Sequence, residues 1–294
     1  MTAISDAPAD GTVAPDAPVA TLVQALAAVG ALGIDRLDAQ LLLLHVLGHA
    51  THDRAWLLAH DHESIKPHAW TQFVSLCTRR LDAEPVAYLI GQKEFRGLAL
   101  CVDARVLVPR PETETLVDWA LERMAPLLRP RVLDLGTGSG AIALALRHAR
   151  ADARIDAIDA SADALVVARG NGERLGLDVR WAKGDWLEGA ASGYDVIVAN
   201  PPYVAEADAH LPALRHEPIE ALAAGPDGLA DLRRIIAAAP RHLATDGWLL
   251  LEHGHNQAGA VTELLRMHGF VEVQSRSDLA GIARCSGGQR APVK

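Results

Sequence analysis

Asn200-Pro201-Pro202-Tyr203 closes an apolar run, Asp195–Ala199, that has the pattern of a buried strand. Two consecutive prolines fix φ and remove two N–H donors, so the turn is stiff and rich in acceptors. The Asn200 side-chain oxygen and the Pro201 carbonyl can together accept both hydrogens of one planar –NH2 group. Tyr203 can pack flat against that group. Amide and aromatic-amine nitrogens are poor nucleophiles because their lone pair is delocalised. Two acceptors on the hydrogens favour a more pyramidal nitrogen and aim its lone pair, and a dry pocket strengthens both contacts. The set suits methylation of an amide or an aromatic amine, and no neighbouring residue stands out as a general base.

A second constellation lies upstream. Val132-Leu133-Asp134-Leu135 leads into Gly136-Thr137-Gly138-Ser139-Gly140 and then into an apolar helix from Ala141. Glycines let a backbone approach a ligand closely, and the helix start behind them offers free N–H groups. Asp159 ends the next strand, about twenty residues on, where a carboxylate can accept both hydroxyls of a ribose. The spacing is Gly-x-Gly-x-Gly, not that of dinucleotide enzymes, and no lysine follows as in a P-loop. The competing reading is a tight strand–helix turn with no ligand. Asp185-Trp186 follows a further strand: Asp185 could take an adenine amino group and Trp186 could cover the ring, or Trp186 could be core. Asp134, Asp159 and Asp185 all fall at carboxyl ends of strands, where open α/β sheets bind ligands.

The elements that must position these groups follow from periodicity and caps. Residues 1–18 are rich in Ala, Pro and Asp and read as a flexible tail. Helices are expected from Leu22 behind Thr21, after Asp35 with Leu37, Leu41 and Leu44 on its apolar face, from Thr51, and from Pro67 to about residue 83. Phe95–Val102 alternates as a short β-hairpin, and a helix is expected over 112–128. From Arg131 onward strands and helices alternate: strands at 131–135, 155–159, 179–182, 195–199 and 248–252, helices at 140–150, 162–175, 229–243 and 257–268. Val271–Ser275 with Ile282–Ser286 closes the set as a hairpin. Such alternation builds a mainly parallel sheet covered on both faces, an α/β fold.

The 294-residue chain carries a formal net charge of −9, more than half of it within residues 1–85. That balance argues against gripping nucleic acid by charge. Cysteines are three (Cys77, Cys101, Cys285), odd in number and without CxxC spacing, which suits a reducing compartment. No apolar run approaches the ~20 residues of a membrane helix. The first basic residue is Arg36, which leaves no n-region for a signal peptide. A cytoplasmic monomer is expected.

Together these motifs resemble class I S-adenosylmethionine-dependent methyltransferases, and more closely the HemK/PrmC family of release-factor glutamine methyltransferases. The resemblance runs from about Thr21 to Gly288. It rests on Glu94–Leu98, Val108-Pro109-Arg110-Pro111-Glu112-Thr113-Glu114, Asp134–Gly140, Asn200–Tyr203, Leu251–Gly254, and Asp278–Gly281 with Arg284. It implies a Rossmann-like class I methyltransferase sheet with a small N-terminal helical bundle joined by a β-hairpin. The implied division is a tail at 1–18, a helical substrate-recognition domain at 19–88, a hairpin linker at 89–108 and a catalytic domain at 109–294. The implied activity is transfer from S-adenosyl-L-methionine, giving S-adenosyl-L-homocysteine, to the glutamine amide in the Gly-Gly-Gln motif of class 1 peptide chain release factors. By carry-over Gly136, Thr137, Gly138, Ser139, Gly140, Asp159, Asp185, Trp186 and Asn200 hold the cofactor. Asn200, Pro201, Pro202 and Tyr203 hold the amide, with Asn200, Pro201 and Tyr203 catalytic, and Arg110 and Glu114 line the approach.

Other signals carry less. His45 and His49 are spaced i, i+4 with His60 and His62 nearby, but no cysteine or carboxylate set completes a site, and no metal is expected. His253-Gly254-His255 reads as a loop at a strand end. Most of the six tryptophans sit at helical apolar positions and read as core. Gly287-Gly288-Gln289 spells the implied substrate tripeptide and reads as coincidence, with self-methylation at Gln289 as the alternative. The rival activity is an adenine N6 methyltransferase acting on DNA or RNA, which would use the same Asn-Pro-Pro-Tyr chemistry on a flipped base. A non-catalytic adaptor is a third reading, disfavoured by the intact Asn200 and Tyr203.

Overall fold

The computed structural model describes residues 20–292, so the expected tail at 1–18 lies outside the described residues. The chain divides between Gly91 and Gln92 into two compact units.

The first unit holds five helices: α1 (Leu22–Ala31), α2 (Arg36–Val46), α3 (Arg54–Ala59), α4 (Pro67–Leu81) and α5 (Val86–Ile90). Their starts follow the capping residues. Thr21 and Gln24 form a reciprocal capping box, the Asp35 carboxylate accepts from Leu37 N at 2.7 Å, and Pro67 occupies the first turn of α4. Two expectations shift. The start of α3 is capped by Asp53, which accepts from Trp56 N at 3.3 Å, rather than by Thr51. Helix α2 buries Ala39, Leu42, Leu43 and Leu44 while Leu37 is exposed. Four consecutive leucines occupy every side of a helix, so their spacing could not choose the buried face. Trp56 is not core either: it stacks between His49 and His60 at 3.8 and 4.4 Å, which occupies two of the histidines weighed above.

The second unit opens with a hairpin, β1 (Gln92–Phe95) and β2 (Leu98–Cys101), then a 3-10 turn at Pro111–Thr113 and α6 (Glu114–Met124). The alternation follows as β3 (Arg131–Leu135), α7 (Ala141–Ala149), β4 (Arg154–Asp159), α8 (Ala162–Leu175), β5 (Arg180–Lys183), β6 (Tyr194–Ala199), α9 (Ala230–Ala238), β7 (Leu243–Glu252), α10 (Ala258–Met267), β8 (Phe270–Ser277) and β9 (Ala283–Arg290). The seven-stranded sheet has the order β5-β4-β3-β6-β7-β9-β8. Its first five strands are parallel and β9 is antiparallel to both neighbours. Strand residues alternate between two cores: Val132, Val196, Val198 and Leu250 join the one that holds α6 and α7. Leu133, Ile197, Leu249 and Leu251 join the one that holds α9 and α10. Hairpin residues Phe95, Leu98 and Leu100 belong to the first of these. Truncation of a fully buried leucine such as Leu133 costs about 2–5 kcal/mol.

The expected helix over 229–243 ends early, at Ala238, and turns into a 3-10 segment at Ala239–Arg241. Pro240 removes an N–H and clashes with the preceding turn. Strand β7 starts at Leu243, five residues before the apolar run, because an irregularity around Asp246 (φ +62°) joins the Tyr194 and Val196 registers. The Gly287-Gly288-Gln289 tripeptide lies in β9. A Cβ on Gly287 would come 2.5 Å from the Leu249 carbonyl and 3.0 Å from the Trp119 ring. Gln289 Nε2 donates to the Asp246 carbonyl at 3.0 Å, early in β7 and away from its carboxyl end. Here the glycines serve strand packing. Among the described residues no helix is long and apolar enough to cross a membrane.

Candidate functional site

The chain runs from β3 outward to β4 and β5, then returns to the other side of β3 as β6. At that reversal the loops leaving β3 and β6 diverge, which opens a crevice at the carboxyl ends. A cavity of about 620 Å³ lies there. It is lined from the β3 loop by Gly136, Thr137, Gly138 and Ser139, from the end of β4 by Asp159, from beyond β5 by Asp185 and Trp186, and from beyond β6 by Asn200 and Pro202.

One side of the cavity is built from local backbone. Gly136 has φ +66°, and a Cβ there would meet the Trp186 ring at 3.0 Å. Gly138 N donates to Asp159 Oδ2 and Ser161 N to its Oδ1, both at 2.8 Å. Each oxygen keeps a lone pair for a further donor. Burial pushes the Asp159 carboxyl up, against these backbone donors. Below the loop Asp134 is fully buried. Its Oδ2 accepts from Thr137 Oγ1 at 2.6 Å and Ala143 N at 3.2 Å, while its Oδ1 has no hydrogen-bond partner among the described residues. Burial pushes Asp134 up to about 7. Trp186 sits at φ +51° and donates from Nε1 to Asp231 Oδ1 at 2.9 Å. Asp185 pairs with Arg234 at 2.6 Å, both half-exposed.

The other side is built from distant segments. Asn200 Nδ2 donates to Thr113 Oγ1 at 3.2 Å, across 87 residues of chain. Because the two amide atoms diverge from Cγ, Oδ1 faces away from Thr113. Tyr203 donates its hydroxyl to Glu252 Oε1 at 3.4 Å. Glu252 is 1% exposed at the carboxyl end of β7, and its Oε2 has no hydrogen-bond partner among the described residues. Burial pushes Glu252 up to about 7, opposed by the hydroxyls of Thr113 and Tyr203 and by Arg284, and reinforced by Glu112. Arg110 lines the cavity and pairs with buried Glu217 at 2.5 Å. Glu217 also accepts from Val108 N at 3.0 Å. This ties the Pro109-Arg110-Pro111 segment to the long connection after β6.

Some expected residues stand outside the cavity lining. Gly140 packs instead: a Cβ there would meet Trp181 at 3.0 Å and Leu144 at 3.1 Å. Pro201 is buried and is not among the residues lining the cavity, unlike its neighbours Asn200 and Pro202. Tyr203 reaches Glu252 rather than the cavity lining. Glu114 accepts from Arg96 N at 3.4 Å. His253 is buried, with Nε2 on Ser286 Oγ at 2.8 Å. Residues that the sequence reading left without a role are Thr113, Glu217, Glu252, Asp231 and Asn171. Asn171 is fully buried. It bonds both backbone groups of Cys101 and the Ser139 carbonyl, joining the hairpin to the glycine loop. Thr113 and Glu252 stood inside quoted motifs, but only the fold reveals what they touch, Asn200 and Tyr203 respectively.

Residues 114–278 match the methyltransferase small domain, and residues 19–91 match the PrmC N-terminal domain. The chain is 50% identical over 260 residues to the release factor glutamine methyltransferase of Bordetella pertussis, covering 87% of this chain and 95% of that protein. It is 44% identical to the release factor glutamine methyltransferase of Burkholderia pseudomallei, covering 87% and 92%. Among solved structures, the hMettl16 catalytic domain in complex with MAT2A 3'UTR hairpin 1 superposes with a TM-score of 0.56 at 16% identity, covering 75% of this chain and 83% of that one. That likeness is one of fold.

Proposed function

The chain belongs to the release factor glutamine methyltransferases, and from that premise we propose that its cavity binds S-adenosylmethionine beside the side-chain amide of a release factor glutamine. The acceptor atom is the N5 nitrogen of the glutamine in the Gly-Gly-Gln motif of a class 1 factor. The observation that carries this reading is that one crevice holds both the Asp159 and glycine-loop cradle and the Asn200 turn.

The residues present fit such a cofactor. Asp159, Asp185 and Asp231 border the cavity, which suits a ligand bearing a positive sulfonium. Gly138 meets open space on its Cβ side, so the backbone can be approached. Gly136, Thr137, Gly138 and Ser139 would face the ligand with backbone, Asp159 would accept ribose hydroxyls, and Trp186 would cover the adenine. In this reading Gly140 supports the loop by packing. The bound cofactor supplies an electrophilic methyl group.

Asn200 Oδ1 accepts one hydrogen of the substrate –NH2. The reading gives the second acceptor to the Pro201 carbonyl, with Pro202 and Tyr203 shaping the same rigid turn. The amide lone pair is thereby aimed at the methyl carbon. With the cofactor bound, these two acceptors would hold the amide nitrogen for a methylation in which the methyl group replaces one amide hydrogen and that proton passes to water. Preorganised acceptors in a partly dry cavity act most strongly where charge develops. The helical unit, residues 19–88 in this reading, engages the release factor away from its tip, with 89–108 as linker and 109–294 catalytic. The protein acts as a cytoplasmic monomer without direct nucleic-acid contact, which its acidic balance supports.

The test is incubation with methyl-labelled cofactor and either a release factor, its glutamine-substituted variant, or DNA. Label on the wild-type factor alone is expected. Label on DNA with none on the factor would overturn the reading.

A further inference from the structure

Trp186 lines the cavity from a turn, not from a strand or helix. Its backbone lies at φ +51°, in the left-handed region that L side chains rarely adopt. An indole on such a turn can swing about two torsions, so its plane is set by what touches it. Two contacts grip it from opposite ends. At the benzo edge, Cζ3 and Cη2 lie 3.0 and 3.3 Å from where a Cβ on Gly136 would stand. At the pyrrole edge, Nε1 donates to Asp231 Oδ1 at 2.9 Å across 45 residues of chain. An indole N–H can only donate, and Asp231 is a largely buried acceptor at the start of α9. Arg234 stands 3.5 Å from the same Oδ1 and pairs with Asp185 Oδ2 at 2.6 Å. The consecutive residues 185 and 186 are thus held by residues 231 and 234, neighbours on one face of α9.

We propose that Asp231 is a positioning residue of the cofactor site: by accepting the indole N–H it fixes the plane of Trp186, so that the ring is already set to cover the adenine when the cofactor arrives. Preorganisation of this kind lowers the ordering cost paid on binding. Its effect therefore falls on cofactor affinity and not on the rate once cofactor is bound. The proposal rests on the reading above that Trp186 covers the adenine of S-adenosylmethionine.

The experiment measures the Kd of S-adenosylmethionine by calorimetry, with kcat, KM and thermal melting, for wild type, Asp231→Ala, Asp231→Asn, Trp186→Phe, Trp186→Ala and the double variant Trp186→Phe/Asp231→Ala. Loss of a hydrogen bond to a charged group is expected to raise Kd and cofactor KM roughly 10-fold in Asp231→Ala. Its kcat and release factor KM stay within about threefold of wild type. Asp231→Asn loses the charge but keeps an acceptor oxygen, so its Kd stays within about threefold. Trp186→Phe has no N–H for Asp231 to hold, so adding Asp231→Ala to it changes Kd less than about twofold. An Asp231 that only steadied the start of α9, or only supplied negative charge to the cavity, would show no such dependence on residue 186. Wild-type Kd in folded Asp231→Ala, Asp231→Asn as weak as Asp231→Ala, or an undiminished loss in the Trp186→Phe background would each overturn the proposal. Should Asp231→Ala not fold, the near-isosteric Asp231→Leu is compared in the same two backgrounds. Wild-type Kd in Trp186→Ala would overturn the adenine-covering role on which the proposal rests, a result distinct from the others.

Discussion

The two sides of the cavity are built in opposite ways. The β3 loop side is made largely of backbone: Gly136–Ser139 and Asp159 come from one β-α-β stretch, and the hydrogen bond that joins Gly138 to Asp159 spans 21 residues. The Asn200 side is made of side chains from three places in the chain, Thr113, Asn200 and Glu252, joined across 87 residues from Thr113 to Asn200 and 49 from Tyr203 to Glu252. A cradle of backbone and one carboxylate binds. A long-range polar network is sensitive to each member and orients. Substitutions on the two sides should therefore separate cofactor affinity from turnover.

The largest separation is expected at Asn200. Asn200→Ala removes the acceptor but leaves the glycine loop and Asp159 intact. Transfer should fall on the order of 10²-fold or more, while calorimetry gives a cofactor Kd within about threefold of wild type. Comparable losses in both would merge the two sides into one. The converse variant is Asp159→Ala. Hydrogen bonds to charged groups contribute about 1.5–3 kcal/mol, so cofactor Kd should rise roughly 10- to 100-fold. The rate at saturating cofactor should change little, measured by single-turnover labelling.

Legibility in the sequence divides along the same line. Strand, glycine turn, helix and the acid after the next strand are consecutive, and local periodicity and spacing suffice to read them. Asp134 and the Asn200 turn were legible for the same reason. The roles of Thr113 and Glu252 were not, because a hydrogen bond across 87 residues leaves no periodic trace. Gly140 shows the converse: it completes a motif, and its spacing did not disclose that a Cβ there would meet Trp181 and Leu144. In the helical unit, caps such as Thr21 and Asp35 were readable, whereas the leucine run of α2 could not disclose its buried face.

A smaller effect should appear with pH. Both sides hold a buried carboxyl pushed up to about 7 by burial, Asp134 under the loop and Glu252 at the end of β7. Glu252 accepts from the Tyr203 hydroxyl most strongly when ionised, so transfer is expected to rise with pH through about 7 and to change up to about tenfold per pH unit below it. Tyr203, Glu112 and Arg284 face the same carboxyl, and Cys285 senses its charge. Glu252→Gln should flatten that limb and Asp134→Asn should leave it in place. The stability consequence has the opposite sign. A folded-state value above the ordinary 4.5 favours the protonated fold, so this contribution is complete below 4.5 and is lost as pH rises through about 7.

The smallest contrast concerns two ion pairs, one on each side. Asp185 and Arg234 are both half-exposed, with side-chain exposures of 47% and 49%. Solvent screens such a pair, and its loss costs about 0–1 kcal/mol. Glu217 is 2% exposed beside Arg110 and also accepts from Val108 N. Removing Arg110 leaves a buried carboxylate with a backbone donor but no cation, a loss of about 3 kcal/mol when a buried pair is broken. Arg110 is itself about one-third exposed, so water reaches its guanidinium and reduces the difference to roughly 1–2 kcal/mol. Chemical denaturation of Arg110→Met and Arg234→Met should show the first less stable by that margin. Equal denaturation midpoints would mean that the Arg110 pair fixes the position of the segment without adding to its stability.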